Sequence, residues 1–241
     1  MKVSLLGSSG KMGKSMIELA HDDPSVSIAN ALVRPDSKYL GKDVGEEHFN
    51  KRSGLKFCAF PKENFDIFID FSTNNQLEEK IELYKKFGKP LLFCSTGLNK
   101  DEEFKIKQLS SKFPVFYAPN TSLSLNYLTN MAKKVSTSFD FSEIIIEEQH
   151  HKSKIDTPSG TAKEIAESLN IDANNILSKR EGSSGNYHKI IFKNRNEEIQ
   201  ISHFGLNRKL YAEGAINIAK WFYQKPKNLY HMQTLIKEIY E

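Results

Sequence analysis

The chain has 241 residues, enough for one or two domains at a usual size of about 150 residues each. Hydrophobic residues make up 39% and charged residues 27%, so a wholly disordered chain is excluded. The net charge is only +4 and the basic residues are scattered, which does not demand nucleic acid as a partner. No apolar run approaches the roughly 20 residues that span a membrane, and no signal peptide is evident. Two cysteines, Cys58 and Cys94, form neither a disulfide framework nor a zinc site, so we expect a cytoplasmic protein.

Strand and helix patterns alternate through the first half of the chain. Short apolar runs predict strands at residues 2–6, 26–33, 55–60, 65–71, 90–94 and 115–117. Amphipathic spacing between them predicts helices at residues 11–21, 74–87 and 101–112. Strands separated by helices are typical of βαβ units, so we expect a mostly parallel sheet covered on both faces.

The pattern changes after Pro119. The next predicted elements are a helix at 122–138, a strand at 141–148, a polar loop at 150–159, a helix at 161–169 and strands at 189–193 and 197–203. Because long helices do not separate these strands, we expect a second unit with an open α+β arrangement. Glycine and serine at 182–185 predict a surface loop, and helices are predicted at 212–222 and 232–240.

A glycine-rich turn separates the first predicted strand from the first predicted helix. Its Gly-x-x-Gly-x-x-Gly spacing is a variant of the dinucleotide-binding fingerprint. Glycine permits a tight turn and close approach to a pyrophosphate, and the helix start offers free N–H groups to the phosphates. A plain strand-to-helix turn would also use glycine, but the position in an α/β unit favours a nicotinamide dinucleotide. The residues predicted to contact it are Gly7, Ser8, Ser9, Gly10, Lys11, Met12 and Gly13.

The residues after the second predicted strand bear on the choice between NADH and NADPH. A protein that prefers NAD usually carries Asp or Glu about 20 residues after the glycines, where it binds the ribose 2′-hydroxyl. Val33 stands at about that position, followed by Arg34, with Lys38 nearby. A guanidinium can bind a 2′-phosphate through two hydrogen bonds. We therefore expect NADPH to bind at least as well as NADH, unless Arg34 only stacks on the adenine.

The most specific stretch runs from Glu147 to Ala162 and reads Glu-Glu-Gln-His-His-Lys-Ser-Lys-Ile-Asp-Thr-Pro-Ser-Gly-Thr-Ala. It places two histidines and two lysines just beyond a long strand, before a turn that opens a helix. Thr161 and Glu164 fit a capping box, and the N–H groups of Gly160 and Thr161 would be free donors for an anion. Cations beside a helix start predict a pocket for a molecule with more than one carboxylate.

Two alternatives to catalysis apply to this stretch. Adjacent histidines in a basic loop are more often ordinary surface residues. The indication of metal binding is weaker still, because His150 and His151 lack partners at ligand spacing. No metal ligand is therefore predicted. The cofactor turn favours catalysis, because hydride addition to a carbon–nitrogen or carbon–carbon double bond needs a proton donor. Histidine suits that role near neutral pH.

Together the two motifs resemble the dihydrodipicolinate reductase family of bacterial lysine biosynthesis. The family signature His-His-x-x-Lys-x-Asp-x-Pro-Ser-Gly-Thr-Ala is matched from His150 to Ala162, and the glycine turn at 7–13 precedes it. Supporting matches lie at residues 70–72, 95–97, 118–122, 180–182 and 212–222.

This resemblance implies a Rossmann-type parallel-sheet domain formed by residues 1–121 and 208–241. An inserted α+β domain at 122–207 would serve substrate binding and oligomerisation, with hinges at both crossings, in a homo-oligomer that is by family analogy a homotetramer. NADPH or NADH would reduce 4-hydroxy-tetrahydrodipicolinate to tetrahydrodipicolinate in lysine and diaminopimelate biosynthesis. Two alternatives stay open: a related Rossmann oxidoreductase acting on another small dicarboxylate, and a dinucleotide sensor without catalysis.

The resemblance also implies roles for individual residues. His150 would donate the proton, and Lys154 would be the second catalytic residue. The substrate carboxylates would be held by His151, Lys154, Gly160 and Thr161. Ser72 would lie near the cofactor. The nicotinamide side would be lined by Cys94, Ser95, Thr96, Ala118, Pro119, Asn120 and Thr121.

Overall fold

The computed structural model describes residues 1–152, 154–181 and 185–240, and most of the predicted loop at 182–185 lies outside these ranges. The chain divides into two compact units, Met1–Thr121 with Tyr211–Glu241, and Ser122–Leu210. The sequence puts the corresponding crossings at residues 122 and 208. Among the described helices, none is long and apolar enough to cross a membrane.

The described residues form eleven strands and eight α-helices. The strands are β1 Lys2–Leu6, β2 Ser27–Leu32, β3 Phe57–Cys58, β4 Ile67–Asp70, β5 Leu91–Phe93, β6 Val115–Tyr117, β7 Glu143–His150, β8 Ile176–Arg180, β9 Asn186–Lys193, β10 Glu198–Gly205 and β11 Leu229–Tyr230. The helices are α1 Lys11–Asp22, α2 Val44–Phe49, α3 Leu77–Phe87, α4 Lys100–Gln108, α5 Leu123–Ser138, α6 Gly160–Leu169, α7 Lys209–Phe222 and α8 Met232–Tyr240. Strands β7 to β10 and helices α5 and α6 belong to the second unit, and the other strands belong to the first.

The first unit contains a parallel sheet of seven strands in the order β3-β2-β1-β4-β5-β6-β11. Its central strands are short and apolar, and both β4 and β5 are buried along their whole length, as is typical of strands covered on both faces. The chain order reverses between β1 and β4, so the carboxyl ends of these strands border the crevice in which such folds bind ligands. Strand β11 pairs with β6, so the C-terminal segment completes the sheet. The predicted Rossmann-type parallel sheet is confirmed.

Amphipathic helices cover this sheet. Helix α3 buries Ile81 and Tyr84 in a core cluster that includes Phe68 of β4. Glu78 and Glu79 lie in its first turn and Lys85 and Lys86 in its last, an arrangement that complements the helix dipole. Helix α4 begins with a capping box in which Asn99 and Glu102 satisfy each other's backbone N–H groups.

The second unit contains a four-stranded sheet in the order β10-β9-β7-β8. Strand β9 is antiparallel to its neighbours β10 and β7, and β8 is parallel to β7. One face packs on α5 and α6, where Ile146 of β7 and Ile190 of β9 are fully buried. Because strand side chains alternate, Glu148 and His150 lie on the same face as Ile146, and His188 lies on the same face as Ile190. The predicted α+β character of this unit is confirmed.

Three short elements are not indicated by the sequence patterns: α2, β8 and β11. Helix α2 has six residues and depends on the Asp43 carboxylate, which accepts the N–H groups of Gly45 and Glu46. Six residues are too few to show a helical period. Strand β8 consists largely of polar and charged residues, and β11 has two residues. Strand β7 continues to His150, so the predicted polar loop begins after that residue.

Candidate active site

The glycine turn lies at the carboxyl end of β1 and leads into α1. Gly7 has a positive φ of 75°, and a Cβ atom there would lie 2.7 Å from the carbonyl carbon of Phe71, just after β4. A Cβ atom on Gly13 would lie 2.4 Å from the carbonyl oxygen of Gly7. At Gly10, the N-cap of α1, a Cβ atom would meet only that same oxygen among the described residues, at 3.2 Å. Gly7 and Gly13 therefore let the turn pack against β4 and α1, whereas the backbone at Gly10 is accessible.

A cleft of about 780 Å³ opens at this carboxyl edge of the sheet. The turn contributes Gly7, Ser9 and Gly10 to its wall, and the loops after β2, β3 and β4 contribute further residues. The cleft lies at the point where the strand order reverses, which is where Rossmann-type folds bind a dinucleotide. The glycine cradle and the accessible start of α1 fit the pyrophosphate of such a cofactor.

Cationic and aromatic side chains line the part of the cleft that follows β2. The Nε atom of Arg34 lies 3.5 Å from Oδ1 of Asp36, and both side chains are more than half exposed. The Nζ atom of Lys38 lies 5.1 Å from the centre of the Tyr39 ring. Phe60, which is 61% exposed, lines the same cleft. These groups can offer two cations to a phosphate and flat apolar surfaces to a purine.

A buried carboxylate organises the loop after β4. Asp70 is fully buried and accepts hydrogen bonds from Oη of Tyr84 and the N–H of Ser72, both at 2.6 Å. Nζ of Lys80 lies 3.2 Å from Oδ2 of Asp70 and donates to Oγ of Ser72 at 3.0 Å and to the carbonyl of Thr73 at 2.9 Å. Burial, reinforced by the Asp70 carboxylate, raises the pKa of Tyr84 well above its usual value. Lys80 thus fixes the cleft wall, a role that no sequence pattern reveals because α3 carries several similar lysines.

The residues predicted to line the nicotinamide side directly follow β5 and β6, at the same carboxyl edge as the glycine turn. Thr96 is exposed, and Pro119 and Asn120 are half-buried. Cys94 is buried, and burial raises the pKa of its thiol well above its usual value, so the thiol stays neutral. The placement of these loops in the sheet agrees with a shared cofactor edge, while the contacts themselves stay predictions.

Several of the predicted cofactor side chains brace the backbone of these loops. Oγ of Ser8 donates to the last carbonyl of β2 at 2.8 Å. Oγ of Ser95 donates to the carbonyl of Ser72 at 2.7 Å, and Oγ1 of Thr121 donates to the carbonyl of Tyr211 at 2.7 Å. These three hydroxyl protons are therefore used within the protein and fix the shape of the loops.

In the second unit, Glu148 and His150 form a buried pair. Glu148 is 1% exposed, and its Oε2 bonds Nδ1 of His150. Its Oε1 lies 2.8 Å from Nη1 of Arg180 and accepts the N–H of Ser159 at 3.3 Å. Burial alone would raise the pKa of this carboxyl group, but the polar groups around it, among them Arg180 and His150, hold it below its usual value. Glu148 is therefore an ionised carboxylate in the interior.

The surroundings of His150 keep its imidazole neutral near pH 7. Burial is the main cause that lowers the pKa of His150. The positive charges of Lys154 and Arg180 act in the same direction, whereas the hydrogen bond to Glu148 opposes them. The net pKa lies below the usual histidine value, so the free protein carries a neutral ring that can gain a proton when a negative ligand approaches.

His188 on β9 completes this buried group. It is fully buried, and its ring meets the ring of His150 edge-to-face with centroids 5.2 Å apart. Burial lowers the pKa of His188 to about 3, so it is neutral. Neither of its ring nitrogens has a hydrogen-bond partner in the part of the chain that the structure describes. His188 lies far along the chain and is not among the residues predicted from the sequence, but its alternation with Ile190 is a signal of a buried position.

Glu148, His150 and His188 each offer a ligand atom within 4.8 Å of the other two, a spacing that could hold a metal ion. The sequence predicts no metal ligand, because His150 and His151 are neighbours without a partner at ligand spacing and without a cysteine pair. The guanidinium of Arg180 on the same carboxylate opposes a divalent cation there. The arrangement is better suited to holding and moving a proton.

The loop before α6 brings the predicted carboxylate-binding groups together. Nζ of Lys154 lies 2.8 Å from Oδ1 of Asp156, and the N–H of Gly160 donates to Oδ2 of Asp156 at 3.3 Å. Burial would raise the pKa of the Asp156 carboxyl group, but Lys154 and the backbone N–H groups outweigh it and lower the pKa. A lysine and a helix start therefore already bind one carboxylate here, and His151 is half-buried at the beginning of this loop.

The capping arrangement of α6 differs from the predicted one. Ser159, not Thr161, is the N-cap, and its Oγ accepts the N–H of Ala162 at 3.2 Å. The N–H of Gly160, expected to be free, donates to Asp156. The proline-serine turn places the N-cap two residues before the predicted one, so Gly160 is the first helical residue.

Comparisons with known proteins agree with both units. The family model described as dihydrodipicolinate reductase, N-terminus, matches residues 1–121, and the model described as dihydrodipicolinate reductase, C-terminus, matches residues 123–236. Proteins named 4-hydroxy-tetrahydrodipicolinate reductase are similar over nearly their full length. One from Wolbachia sp. subsp. Brugia malayi (strain TRS) is 31% identical over 98% of this chain and 99% of its own. One from Hahella chejuensis (strain KCTC 2396) is 29% identical over 98% of both chains.

The fold also matches a solved structure. The dipicolinate-bound dihydrodipicolinate reductase from Paenisporosarcina sp. TG-14 superposes with a TM-score of 0.76 at 19% sequence identity, over 99% of both chains. Both halves of the chain thus match the corresponding halves of one family, in sequence and in fold. The chain belongs to the dihydrodipicolinate reductase family.

Proposed function

We propose that the chain reduces 4-hydroxy-tetrahydrodipicolinate to tetrahydrodipicolinate with NADPH or NADH, in lysine and diaminopimelate biosynthesis. The observation that carries the proposal is the arrangement in the second unit: a neutral buried imidazole at His150 in the same unit as a carboxylate-binding pair, Lys154 and the Gly160 N–H. The first unit supports it with a glycine cradle at the edge of a parallel sheet. The two buried free cysteines are compatible with the reducing cytoplasm that we propose as its location.

Different residues of the second unit bind the carboxylates of the dianionic substrate and donate a proton to its ring. The ammonium of Lys154 and the N–H of Gly160 bind one carboxylate of the substrate. By analogy with the family, His151 and the N–H of Thr161 help to bind the substrate carboxylates. His150 supplies a proton to the ring. A bound dianion favours the protonated imidazole, so substrate binding raises the pKa of His150 from its lowered value in the free protein. Glu148 keeps the ring oriented during the transfer.

The first unit would hold the nicotinamide cofactor, which supplies a hydride when it is bound. The first turn of α1 would bind the pyrophosphate, because the N–H groups that open a helix lack partners within the helix. The N–H of Gly10 itself donates to the carbonyl of Gly7 at 3.0 Å, so it closes the turn. The loops after β5 and β6 would line the nicotinamide. We infer from Arg34 and Lys38 in the cleft that the 2′-phosphate of NADPH is accommodated at least as well as the 2′-hydroxyl of NADH.

A direct assay tests this function. Purified protein is given freshly made product of dihydrodipicolinate synthase and NADPH, and the loss of absorbance at the nicotinamide band is followed. We expect turnover in the wild type, a fall mainly in kcat for His150→Ala, and a loss of more than tenfold in kcat/KM for Lys154→Ala, because tenfold corresponds to about 1.4 kcal/mol of binding. Lys152→Ala, an exposed lysine of the same loop, is the matched control. Full activity in both site variants would overturn the site assignment.

We also propose that the protein is a homo-oligomer, by family analogy a homotetramer, formed through the second unit. The sheet face opposite α5 and α6 carries Ile145, Leu177 and Ile191, since these residues alternate with the core positions. Leu177 is 51% exposed, Ile145 is half-buried and Ile191 is buried by its neighbours. Around these apolar residues the same face carries both signs of charge, including an ion pair of 2.7 Å between Lys189 and Glu147. A face with an apolar centre and both charges suits a second copy of itself across a two-fold axis.

A further inference from the structure

We propose that Glu148 is a positioning residue that sets the tautomer of His150 and leaves Nε2 as the nitrogen that exchanges the catalytic proton. The inference rests on the proposed role of His150 as proton donor. Its basis is the geometry of one buried carboxylate whose two oxygens have different partners. Oε2 bonds Nδ1 of His150, and Oε1 bonds Arg180 and the N–H of Ser159.

Glu148 needs polar partners because its carboxylate is buried. Its side chain is fully excluded from solvent, and an ionised carboxylate in that position is strongly unfavourable unless it is paired and hydrogen-bonded. Arg180 reaches it from β8 at 2.8 Å. The N–H of Ser159, the N-cap of α6, adds a second donor at 3.3 Å. These donors keep the carboxylate ionised, and their position keeps Oε1 occupied.

A neutral imidazole carries one N–H, and its position follows from what each nitrogen faces. Oε2 of an ionised carboxylate can only accept, so Nδ1 of His150 must carry the hydrogen. Nε2 is then the basic nitrogen. Nε2 takes up a proton when the imidazole becomes charged, and it donates that proton to the ring of the substrate. Without this partner, the two tautomers of an imidazole would both be populated.

Charged and titratable groups on every neighbouring element act on His150. On its own strand, Glu148 stabilises the protonated ring, while Arg180 on β8 and Lys154 in the loop before α6 disfavour it. His188 on β9 is neutral and packs edge-to-face at 5.2 Å, so it restricts the ring without adding charge. His203 on β10 helps to lower the pKa of His188. Glu148 is therefore the group that counteracts burial and two cations.

The substitution Glu148→Gln separates a positioning role from a merely structural one. The amide oxygen must face the donors Arg180 and Ser159, so it takes the place of Oε1. The NH₂ group then takes the place of Oε2 and faces Nδ1 of His150. An NH₂ group donates, so Nδ1 must become the acceptor and the hydrogen of the neutral ring must move to Nε2. The substitution thus inverts the tautomer with almost no change of shape.

The experiment is a ¹⁵N-histidine NMR titration of the full-length protein, together with steady-state kinetics. In the wild type we expect the neutral His150 ring to be protonated at Nδ1. In Glu148→Gln we expect protonation at Nε2, a lower pKa of His150 and a kcat that is at least about tenfold lower with little change in KM, because the ring then presents the wrong nitrogen to the substrate. Glu167→Gln, an exposed glutamate on α6, is the matched control and should resemble the wild type.

A second variant keeps the test decisive if Glu148→Gln does not fold. Glu148→Asp retains the charge and should keep the Nδ1-protonated tautomer with intermediate kcat. An unchanged tautomer and unchanged pKa of His150 in folded Glu148→Gln would overturn the proposal, and so would an Nε2-protonated neutral ring in the wild type. The tautomer is measured without turnover. An inverted tautomer in a protein that does not reduce the substrate would therefore sustain the positioning role while contradicting the proposed function.

Discussion

Nζ of Lys154 lies 2.8 Å from Oδ1 of Asp156, and the other oxygen of that carboxylate accepts the N–H of Gly160 at 3.3 Å. The two groups expected to bind a substrate carboxylate therefore both bind an aspartate of the same loop. A carboxylate of the protein occupies the position in which a carboxylate of the ligand is expected. Since the Asp156 side chain is 52% exposed, it can leave this position by rotating into water.

This competition predicts that Asp156→Asn binds a dicarboxylate more tightly than the wild type. A ligand carboxylate must displace Asp156 from Lys154, and an exposed ion pair of this kind is worth up to about 1 kcal/mol, or about fivefold in Kd. We expect calorimetric titration with pyridine-2,6-dicarboxylate to give a Kd lower by up to about fivefold. Asp140→Asn, an exposed aspartate of the second unit, is the control. Weaker binding by Asp156→Asn would mean that Asp156 instead helps to position Lys154.

Local patterns predict the first unit well because its strands and helices carry their own signals. The apolar strand before the glycine turn and the amphipathic helix after it are each visible within a dozen residues. The parallel pairing follows from their alternation. What the patterns miss is short or polar, such as α2, which depends on the capping carboxylate of Asp43 rather than on an apolar period.

The site in the second unit is only partly predictable from the sequence. The histidines and lysines stand together in one segment, so His150 and Lys154 can be named. Arg180 and His188 come from strands β8 and β9, and only the sheet pairing brings them to Glu148. Glu148 itself has a local signal, because along β7 it alternates in step with the core residue Ile146. A glutamate on the core-facing side of a strand indicates a buried carboxylate that has a polar partner.

The cofactor preference gives a second prediction, at Arg34. If the guanidinium binds the 2′-phosphate, Arg34→Ala should raise KM for NADPH at least about tenfold, since charge-assisted hydrogen bonds contribute about 1.5–3 kcal/mol. KM for NADH should change about twofold or less. Arg52→Ala, an exposed arginine of the same unit that does not line the cleft, is the control. A strong preference for NADH that is unchanged in Arg34→Ala would contradict the 2′-phosphate role.

The glycine turn gives a third prediction, for stability. A methyl group at Gly7 or Gly13 would lie 2.7 Å or less from backbone atoms, which forces the backbone to move. Overpacking of this kind costs about 1–3 kcal/mol, and the positive φ of Gly7 adds to the cost. We expect Gly7→Ala and Gly13→Ala to lower Tm by about 4–10 °C in thermal melts of the ligand-free protein. Gly160→Ala, whose Cβ atom would meet no described atom within 4 Å, should melt close to the wild type. Equal melting of all three variants would refute the packing argument.

The open face of the second sheet gives a fourth prediction, for assembly. A charge at Leu177 would be buried against the second copy, which is strongly unfavourable without a partner. We expect Leu177→Glu to shift the protein to a smaller species in size-exclusion chromatography with light scattering, with its circular dichroism unchanged. Phe104→Glu is the control, because Phe104 is an exposed apolar residue of the first unit. A monomeric wild type would exclude the proposed interface, and an oligomer unaffected by Leu177→Glu would place it elsewhere.

The buried imidazole of His188 gives a fifth prediction, for the dependence of stability on pH. Its pKa of about 3 in the folded protein lies below the value of about 6.5 expected in the unfolded chain, so the unfolded chain takes up the proton first as the pH falls. Stability from this residue is therefore complete above pH 6.5 and is lost as the pH falls from 6.5 towards 3. The loss approaches about 1.4 kcal/mol per pH unit.

His188→Leu removes this titration, and it replaces an imidazole without hydrogen-bond partners among the described residues by an apolar side chain. Other histidines also titrate, so the informative quantity is the difference between the two proteins. In urea unfolding between pH 4.5 and 7.5, we expect the free energy of unfolding of the wild type to fall towards acid more steeply than that of the variant. Ile190→Val, a neighbouring core change on β9, should lower stability by about 1 kcal/mol without altering the slope. Parallel curves for wild type and His188→Leu would show that His188 is not buried as a neutral ring.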